Sequence, residues 1–367
     1  MSGAQHGWFA AYLPHHGRVE FDQARVPGQL AQGSLLLEFT LTRGETGPLE
    51  LFDLTAPGAG ADRLALTLDR EGLIRLEIRR GAAFHALSID ASADCAEGGP
   101  MRLSWRWDCI AGESLLTLEA LERGTLRQRA APAPVALARA DLETLAEGRA
   151  PARIGPRVEW LAVGAHLHPA GPAACFAPST PLLTPTGWRP AGNLRAGDLV
   201  ETVDAGAQPV LWSGRIALPA LGHLRPVRLC APSFGASRDL WVLPQHRIAL
   251  SGPTVDYLFG EDEVLVEARH LVDGCTALQP DRPNVLGWQG VLLDGHHLLI
   301  ADGCRLESLN AGRLARQPAL AATTALADLA AIGALPEHRS PVRRVLEGFE
   351  TRSLAAARSR SRSPVAA

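Results

Sequence analysis

The sequence predicts an all-β protein with two successive β domains and a short helical and disordered tail. Short runs of alternating apolar and polar residues, separated by turn residues, occupy most of residues 34–312, which is the pattern of antiparallel strands. An uncharged Pro/Gly-rich segment, Pro169–Ala174, divides these runs into two sets. The length of 367 residues agrees with two domains, because one domain per ~150 residues is typical.

Residues 1–166 are predicted to form an antiparallel β-sandwich, followed by a linker at 167–174. The stretch Arg153–Ala165 is predicted to be one last strand that closes the domain. The other runs are Leu35–Leu41, Leu64–Leu68, Leu73–Ile78, Leu103–Trp107 and Leu115–Leu118. The turns are Pro57–Gly60, Glu71–Gly72, Gly98–Pro100 and Ile110–Gly112. In its strand rhythm and final strand the domain resembles laminin-G and concanavalin-type jelly rolls.

Three tryptophans of this domain allow two interpretations. In the first, Trp105, Trp107 and Trp160 line a platform for a sugar ring, and in the second they fill the core of the sandwich, which is their commoner role. The lectin-like resemblance implies a carbohydrate or a protein as the ligand of this domain.

The composition excludes several kinds of chemistry. The chain has no lysine, which excludes a P-loop lysine, a Schiff-base lysine and a Ser–Lys dyad. The net charge of −3 gives no bulk electrostatic basis for binding nucleic acid, and no apolar run approaches the ~20 residues that a membrane span needs. Residues 1–19 lack the pattern of a secretory signal, which leaves the compartment open.

Six cysteines are spread along the chain without a Cys-x-x-Cys pair, which argues against a zinc site and a disulfide scaffold. No metal and no other cofactor is therefore predicted. Isolated thiols usually fill the core, and we expect this role for Cys230, Cys275 and Cys304. Cys175 differs, because it directly follows the Pro/Gly-rich segment.

The thiol of Cys175 can attack the carbonyl of the residue before it, Ala174, and convert that amide to a thioester. The leaving nitrogen must be protonated by a positioned acid, usually a histidine. The carbonyl oxygen must be held by donors, and the amide must be twisted out of planarity. His246, directly after a predicted strand, can meet the first need.

Seven segments in this half of the chain resemble the Hint domain, which hedgehog C-terminal domains and inteins share, and most closely a bacterial subfamily of it. The segments are Cys175–Thr180, Pro190–Val200, Arg225–Leu229, Arg238–Leu240, Pro244–Arg247, Ala268–Gly274 and Leu293–Gly303. The resemblance covers residues 175–312 and implies a compact all-β horseshoe with pseudo-twofold symmetry.

The resemblance implies that Cys175 is the nucleophile, that His246 assists amide cleavage, and that Ala174–Cys175 is the scissile bond. Residues 1–174 would then be released or transferred to a small nucleophile or to a protein amine or thiol. Leu243 stands where Hint domains have Thr or Ser, so one hydroxyl is missing. The alternative is a Hint fold without catalysis, kept as a structural module beside a ligand-binding sandwich.

His296 is a further candidate, able to protonate or orient the junction late in the reaction, and both His270 and His296 are expected on strand-like segments near the end of the domain. His270 and His297 are weaker candidates, Asp294 could orient a histidine, and Asp198 is expected to form an Asx-type turn.

Two features at the end of the chain limit its function. Inteins that splice end in a His-Asn pair before Cys, Ser or Thr, whereas Asn310 lies between Leu309 and Ala311. Splicing is therefore not predicted.

Residues 313–367 are predicted to contain an Ala-rich helical part and a disordered basic tail at 358–364. The tail is an Arg-Ser repeat, for which a solvated end is favoured over RNA binding.

Overall fold

The computed structural model describes residues 7–21, 26–56, 62–171 and 175–362. Most regular structure in these residues is β, as the sequence predicts. The chain separates into two compact units: one comprises residues 5–171 with 283–285, and the other comprises residues 172–282 and 286–367. The predicted turn at Pro57–Gly60 lies outside the described residues.

The first unit is an antiparallel β-sandwich. Its strands are β1 Trp8–Leu13, β2 Gly17–Glu20, β3 Gln29–Leu30, β4 Gln32–Leu41, β5 Leu49–Thr55, β6 Arg63–Leu68, β7 Leu73–Arg80, β8 Ala83–Asp90, β9 Gly99–Asp108, β10 Glu113–Ala120, β11 Thr125–Pro132, β12 Leu137–Ala138, β13 Ala152–Ile154 and β14 Val158–Gly164. Its helices are α1 Ser92–Glu97 and α2 Arg139–Glu147. The five predicted runs lie within β4, β6, β7, β9 and β10.

Two sheets enclose the core of the sandwich. One has the strand order β11-β10-β9-β4-β14-β1-β2, and the other has the order β13-β5-β6-β7-β8. Trp105 and Trp107 stack at 4.4 Å between ring centroids, and both are fully buried in this core. The indole N–H of Trp160 donates to the Glu38 carboxylate at 2.9 Å, and Trp160 is also buried. Trp105 and Trp107 therefore fill the core, and Trp160 is buried beside Glu38, so none of the three is exposed to a sugar and the sugar-platform interpretation of them is wrong.

The predicted closing strand, Arg153–Ala165, is two strands in two different sheets. β13 pairs with β5, whereas β14 lies between β1 and β4 in the other sheet. The chain changes sheets at Gly155, where a Cβ atom would lie 1.8 Å from the carbonyl oxygen of Glu50. Only glycine allows this close approach of two backbone segments.

The second unit is also mostly β. Its strands are β15 Pro181–Thr184, β16 Gly187–Pro190, β17 Leu199–Thr202, β18 Gly206–Pro219, β19 Val227–Leu229, β20 Leu240–Val242, β21 Arg247–Ser251, β22 Glu263–Glu267, β23 Ala277–Leu278, β24 Val285–Leu293, β25 Leu298–Ala301, β26 Cys304–Glu307 and β27 Arg344–Val345. Its helices are α3 Pro253–Phe259, α4 Gly312–Ala315, α5 Pro318–Ala321, α6 Ala327–Ala331 and α7 Gly348–Arg362. Short 3-10 turns occur at Ala191–Asn193, Gly222–Leu224, Ser233–Gly235 and Ala268–Leu271.

One curled sheet of ten strands is the largest sheet of this unit, with the path β24-β18-β17-β25-β26-β21-β22-β27, with β15 beside β25 and with β16 beside β15. A second sheet has the order β20-β19-β23. Phe176 forms single bridges to Val242 of β20 and to Gln289 of β24. The residue after Cys175 is therefore held by strands of both sheets.

Residues after 312 continue this unit. β27 pairs in parallel with β22 at the edge of the large sheet. α7 reaches Arg362, five residues into the segment predicted as a tail, while residues 363–367 lie outside the described part. Within the described residues no helix combines the length and the apolar character that crossing a bilayer requires.

Candidate functional site

Both backbone polar groups of Cys175 are hydrogen-bonded. Its N–H donates to the carbonyl of Gln289 at 3.0 Å, and its carbonyl accepts the N–H of Leu243 at 2.9 Å. The nitrogen of the predicted scissile bond is therefore already hydrogen-bonded to β24. Ala174, the other half of that bond, lies outside the described residues.

The thiol of Cys175 is partly buried, and its surroundings disfavour the thiolate. Burial raises the pKa of Cys175, and the charge of Glu307 raises it further, whereas Arg247 lowers it. The thiol is therefore protonated at neutral pH and needs a base before it can attack a carbonyl.

His246 lies in the turn between β20 and β21. The turn closes through the His246 N–H, which donates to the carbonyl of Leu243 at 3.0 Å. The imidazole is 2% exposed and meets the ring of Phe176 edge-on, at 5.7 Å between centroids. Its Nδ1 and Nε2 have no hydrogen-bond partner among the described residues. Burial lowers the pKa of His246 to about 4 against the opposing charge of Glu307, so the ring is neutral at pH 7.

Leu243 is fully buried, and its contribution to the site is its backbone N–H, which holds the carbonyl of Cys175. The side chain offers no hydrogen bond at the place where Hint domains carry a hydroxyl. The predicted lack of a side-chain donor here agrees with the packing.

Glu307, at the end of β26, is a buried carboxylate that sequence reasoning did not select. Oε1 accepts the N–H of Arg247 at 3.1 Å, and Oε2 lies 3.2 Å from Nε2 of His296 and 3.4 Å from Nη1 of Arg247. Burial raises the pKa of Glu307, but His296, Arg247 and His246 lower it more, so that the net shift is downward. The site therefore contains an ionised carboxylate that acts on both Cys175 and His246.

His296 lies in the turn between β24 and β25 rather than on a strand. Its Nδ1 accepts the N–H of Val342 at 3.0 Å, so the proton of the neutral ring sits on Nε2. Nε2 lies 3.2 Å from Oε2 of Glu307, without the angles of a hydrogen bond. His338, from the segment after 312, lies 5.9 Å from His296 between ring centroids. His338 and Val342 carry no motif that could have identified them.

The contacts of the other candidate residues, His270, Asp294 and His297, are with groups outside the Cys175 site. His270 lies in the 3-10 turn Ala268–Leu271, with Nε2 3.9 Å from the carboxylate of Glu267, and not on a strand as predicted. Asp294 is exposed and meets a histidine, His338, through its backbone carbonyl rather than its carboxylate. His297 donates its backbone N–H to the hydroxyl of Ser308.

Asp198 lies at a turn, and its carboxylate accepts the N–H of Arg195, three residues before it, at 2.8 Å. An Asx-type turn uses the N–H two residues after the aspartate, so this turn is not of the predicted type. Cys304 is buried as predicted, Cys230 is partly buried, and Cys275 is exposed. The prediction of a buried thiol is therefore wrong for Cys275, which lies in a turn that the Asp273 carboxylate organises by accepting its N–H.

Residues 174–313 match the family model of the Hint domain, which confirms the predicted Hint domain. No curated protein matches the chain. Among solved structures, the MchDnaB-1 intein is 19% identical, with 36% of this chain and 99% of that chain covered and a TM-score of 0.25. The gp41-1 intein is 14% identical, with 38% and 100% covered and a TM-score of 0.25. The CBM40 of the Ruminococcus gnavus IT-sialidase is 12% identical, with 45% and 90% covered and a TM-score of 0.28.

Proposed function

We propose that the Hint domain cleaves its own N-terminal junction by an N–S acyl shift at Ala174–Cys175. The observation that carries the proposal is the state of His246. A buried, neutral imidazole lies against Phe176, and its two ring nitrogens find no partner among the described residues. Buried polar groups are nearly always hydrogen-bonded, so an exception beside a candidate nucleophile points to a reacting partner.

In the first step His246 acts as a base. The neutral imidazole takes the proton of the Cys175 thiol, and the sulfur forms a bond to the carbonyl carbon of Ala174. The negative charge moves to the former carbonyl oxygen, and His246 becomes an imidazolium. The carboxylate of Glu307 stabilises this positive charge, because it acts on His246 through the buried site.

In the second step His246 acts as an acid. The imidazolium returns its proton to the nitrogen of Cys175, the C–N bond breaks, and the carbonyl re-forms as a thioester on the sulfur of Cys175. An imidazolium whose pKa is about 4 is a strong acid for this transfer. The carbonyl of Gln289 accepts the N–H of Cys175 at 3.0 Å and fixes the direction of the departing amine.

The thioester is resolved by an external nucleophile. A small thiol, hydroxylamine, or a protein amine or thiol attacks the Ala174 carbonyl, and the thiol of Cys175 leaves with a proton. Residues 1–174 are then free or joined to the acceptor, and residues 175–367 stay together.

A structural module without catalysis is the second candidate. Leu243 supports it, because a buried apolar side chain replaces the hydroxyl at this position. The raised pKa of Cys175 supports it too, because a thiol that resists ionisation is a poor nucleophile.

Mass spectrometry of the purified full chain distinguishes these candidates. Incubation with dithiothreitol or hydroxylamine is expected to release a fragment that ends at Ala174. Cys175→Ala is expected to abolish this fragment, whereas Cys275→Ala, which removes an exposed thiol, leaves it unchanged. Release from Cys175→Ala, or no release from the natural chain, contradicts the proposed function.

A further inference from the structure

Residues 336–346 lie beyond the segment that matches the Hint family, yet they pack into the same unit. The ring of His338 is buried, its Nδ1 accepts the N–H of Ala311 at 3.1 Å, and its Nε2 donates to the carbonyl of Asp294 at 3.0 Å. A Cβ atom on Gly312 would lie 1.9 Å from the carbonyl oxygen of His338. The chain that leaves the family segment is therefore packed tightly against this returning segment.

Three further hydrogen bonds anchor the segment to strands and a turn of the large sheet. Nε of Arg343 donates to Glu263 at 3.0 Å, and its Nη2 donates to Asp204 at 2.5 Å. The N–H of Leu346 donates to the carbonyl of Leu265 at 3.0 Å. The bonds of His338 before Val342 and of Arg343 after it hold the backbone of Val342 between two fixed points.

The N–H of Val342 is connected to the candidate site through one residue, His296. It donates to Nδ1 of His296, whose Nε2 lies 3.2 Å from Oε2 of Glu307. Glu307 in turn is the carboxylate whose charge acts on Cys175 and His246. Oε1 of Glu307 also accepts the N–H of Arg247, the residue after His246, at 3.1 Å, so these contacts link residue 342 to the turn that carries His246.

We propose that residues 336–346 are a positioning element of the Hint reaction centre: the Val342 amide fixes His296 as its Nε2–H tautomer, and His296 holds Glu307 beside His246. The inference rests on the proposed function and extends it to a segment outside the family match.

The physical reason lies in the two ring nitrogens of His296. Without the Val342 donor, Nδ1 can carry the proton, and Nε2 then presents a lone pair to the ionised Glu307. Such a contact is repulsive, so the carboxylate or the ring must turn away. Nη1 of Arg247 lies 3.4 Å from Oε2 of Glu307, and its guanidinium competes for the carboxylate when the Nε2–H of His296 no longer faces it.

The test uses Val342→Pro in the full chain, because proline removes the N–H donor, with Val342→Ala as the matched control that keeps it. The ¹⁵N shifts of the His296 ring report the tautomer. We expect the Nε2–H form in the natural chain and in Val342→Ala, and a large Nδ1–H fraction in Val342→Pro. Hydroxylamine cleavage before Cys175 is expected to slow by roughly tenfold or more in Val342→Pro, because misdirected acid–base groups lose part of a 10²–10⁴-fold effect.

Glu307→Gln decides the case in which Val342→Pro does not fold. It is expected to slow cleavage to a similar degree and to lower the pKa of His246 followed by NMR, because the charge of Glu307 raises that pKa. Glu267→Gln, which removes a carboxylate paired with Arg269, is the matched control and leaves both unchanged. Normal cleavage in folded Val342→Pro, or in Glu307→Gln, overturns the inference while the proposed function stands. A natural chain that does not cleave overturns both.

Discussion

At the scale of single residues, Leu243 limits the proposed chemistry most directly. Its backbone holds the carbonyl of Cys175, while its side chain fills a fully buried position without a donor. A buried apolar side chain stabilises the fold at this point, whereas a hydroxyl would stabilise the charge that develops during attack. The identity of one residue therefore sets a balance between stability and rate.

Leu243→Thr is expected to speed hydroxylamine cleavage by about tenfold or more, because one oriented donor at a developing charge is worth ~2–4 kcal/mol in favourable geometry. Leu243→Val is the matched control, since valine has the shape of threonine without its hydroxyl and shares the loss of packing. The single-turnover rates of the two variants are compared. If Thr cleaves no faster than Val, the missing hydroxyl is not what limits this site.

His246 makes stability depend on pH. Its pKa is about 4 in the folded chain, against 6.5 for an ordinary histidine. Between pH 6.5 and pH 4 the unfolded chain therefore binds a proton at His246 that the folded chain does not bind. The free energy of unfolding falls as the pH falls through this range. The full loss is about 3 kcal/mol, because a tenfold difference in proton affinity between the folded and unfolded chains corresponds to about 1.4 kcal/mol.

His246→Gln is expected to remove this part of the acid sensitivity. Urea unfolding at pH 7 and at pH 5 measures the change in free energy for the natural chain and for the variant. The difference between the two pH values should be smaller in His246→Gln, and unchanged in His16→Gln, which alters an exposed histidine. An equal pH dependence in the natural chain and His246→Gln contradicts the burial of a neutral ring.

The sequence selected Cys175 and His246 as candidates because each lies within a short local motif. Glu307 was not selected because apolar and polar residues alternate in Cys304–Glu307, as in any strand with one solvent-exposed face. A glutamate in this pattern is predicted to be a surface residue. Val342 was not selected for a different reason: it contributes only a backbone N–H, which every residue except proline carries. Its contact with His296 depends on a long-range fold that no local pattern encodes.

At the scale of elements, the sequence predicted most strands of the sandwich but not the place where the chain changes sheets. Gly155-Pro156 is a turn signal inside the predicted last strand, and the apolar residues after it favoured one continuous strand. The close approach of Gly155 to Glu50 explains the break, and it joins positions far apart in sequence. Local alternation predicts that a strand exists, whereas its sheet is set by such contacts.

The segment after 312 shows the opposite limit. Its alanine-rich composition predicted helix, and α4, α5 and α6 have only four or five residues each. β27 has two residues and forms a parallel pair at a sheet edge, which is too short for any alternation to reveal. Composition therefore gave the helical character, while the packing of His338 and Arg343 onto the Hint unit could not be predicted.

At the scale of the whole molecule, the boundary between the two units falls after residue 171, inside the Pro/Gly-rich segment Pro169–Ala174. The proposed scissile bond follows this boundary by three residues. Cleavage there would separate the sandwich from the Hint unit without breaking a strand of either one.

The C-terminal end of the Hint domain, near residue 312, has no comparable position at which the chain could be cleaved without breaking contacts of the fold. Oδ1 of Asn310 accepts the N–H of Gly312 at 3.0 Å, and the next residue, Ala311, is buried and bonded to His338. The chain beyond it returns to the sheet as β27. Release of a C-terminal segment would therefore remove a strand and the donor to His296 from the fold.

We expect no ligation of residues 1–174 to the C-terminal segment. Asn310 lacks a histidine before it and a nucleophile after it, so neither transesterification nor cyclisation of the asparagine has its reactant. Processing should end with residues 175–367 as one piece. Epitope tags at both ends, followed by immunoblot during incubation without an added nucleophile, test this, with Asn310→Ala as the control that should process identically. A product with both tags that lacks the mass of residues 175–312 would show splicing and contradict the expectation.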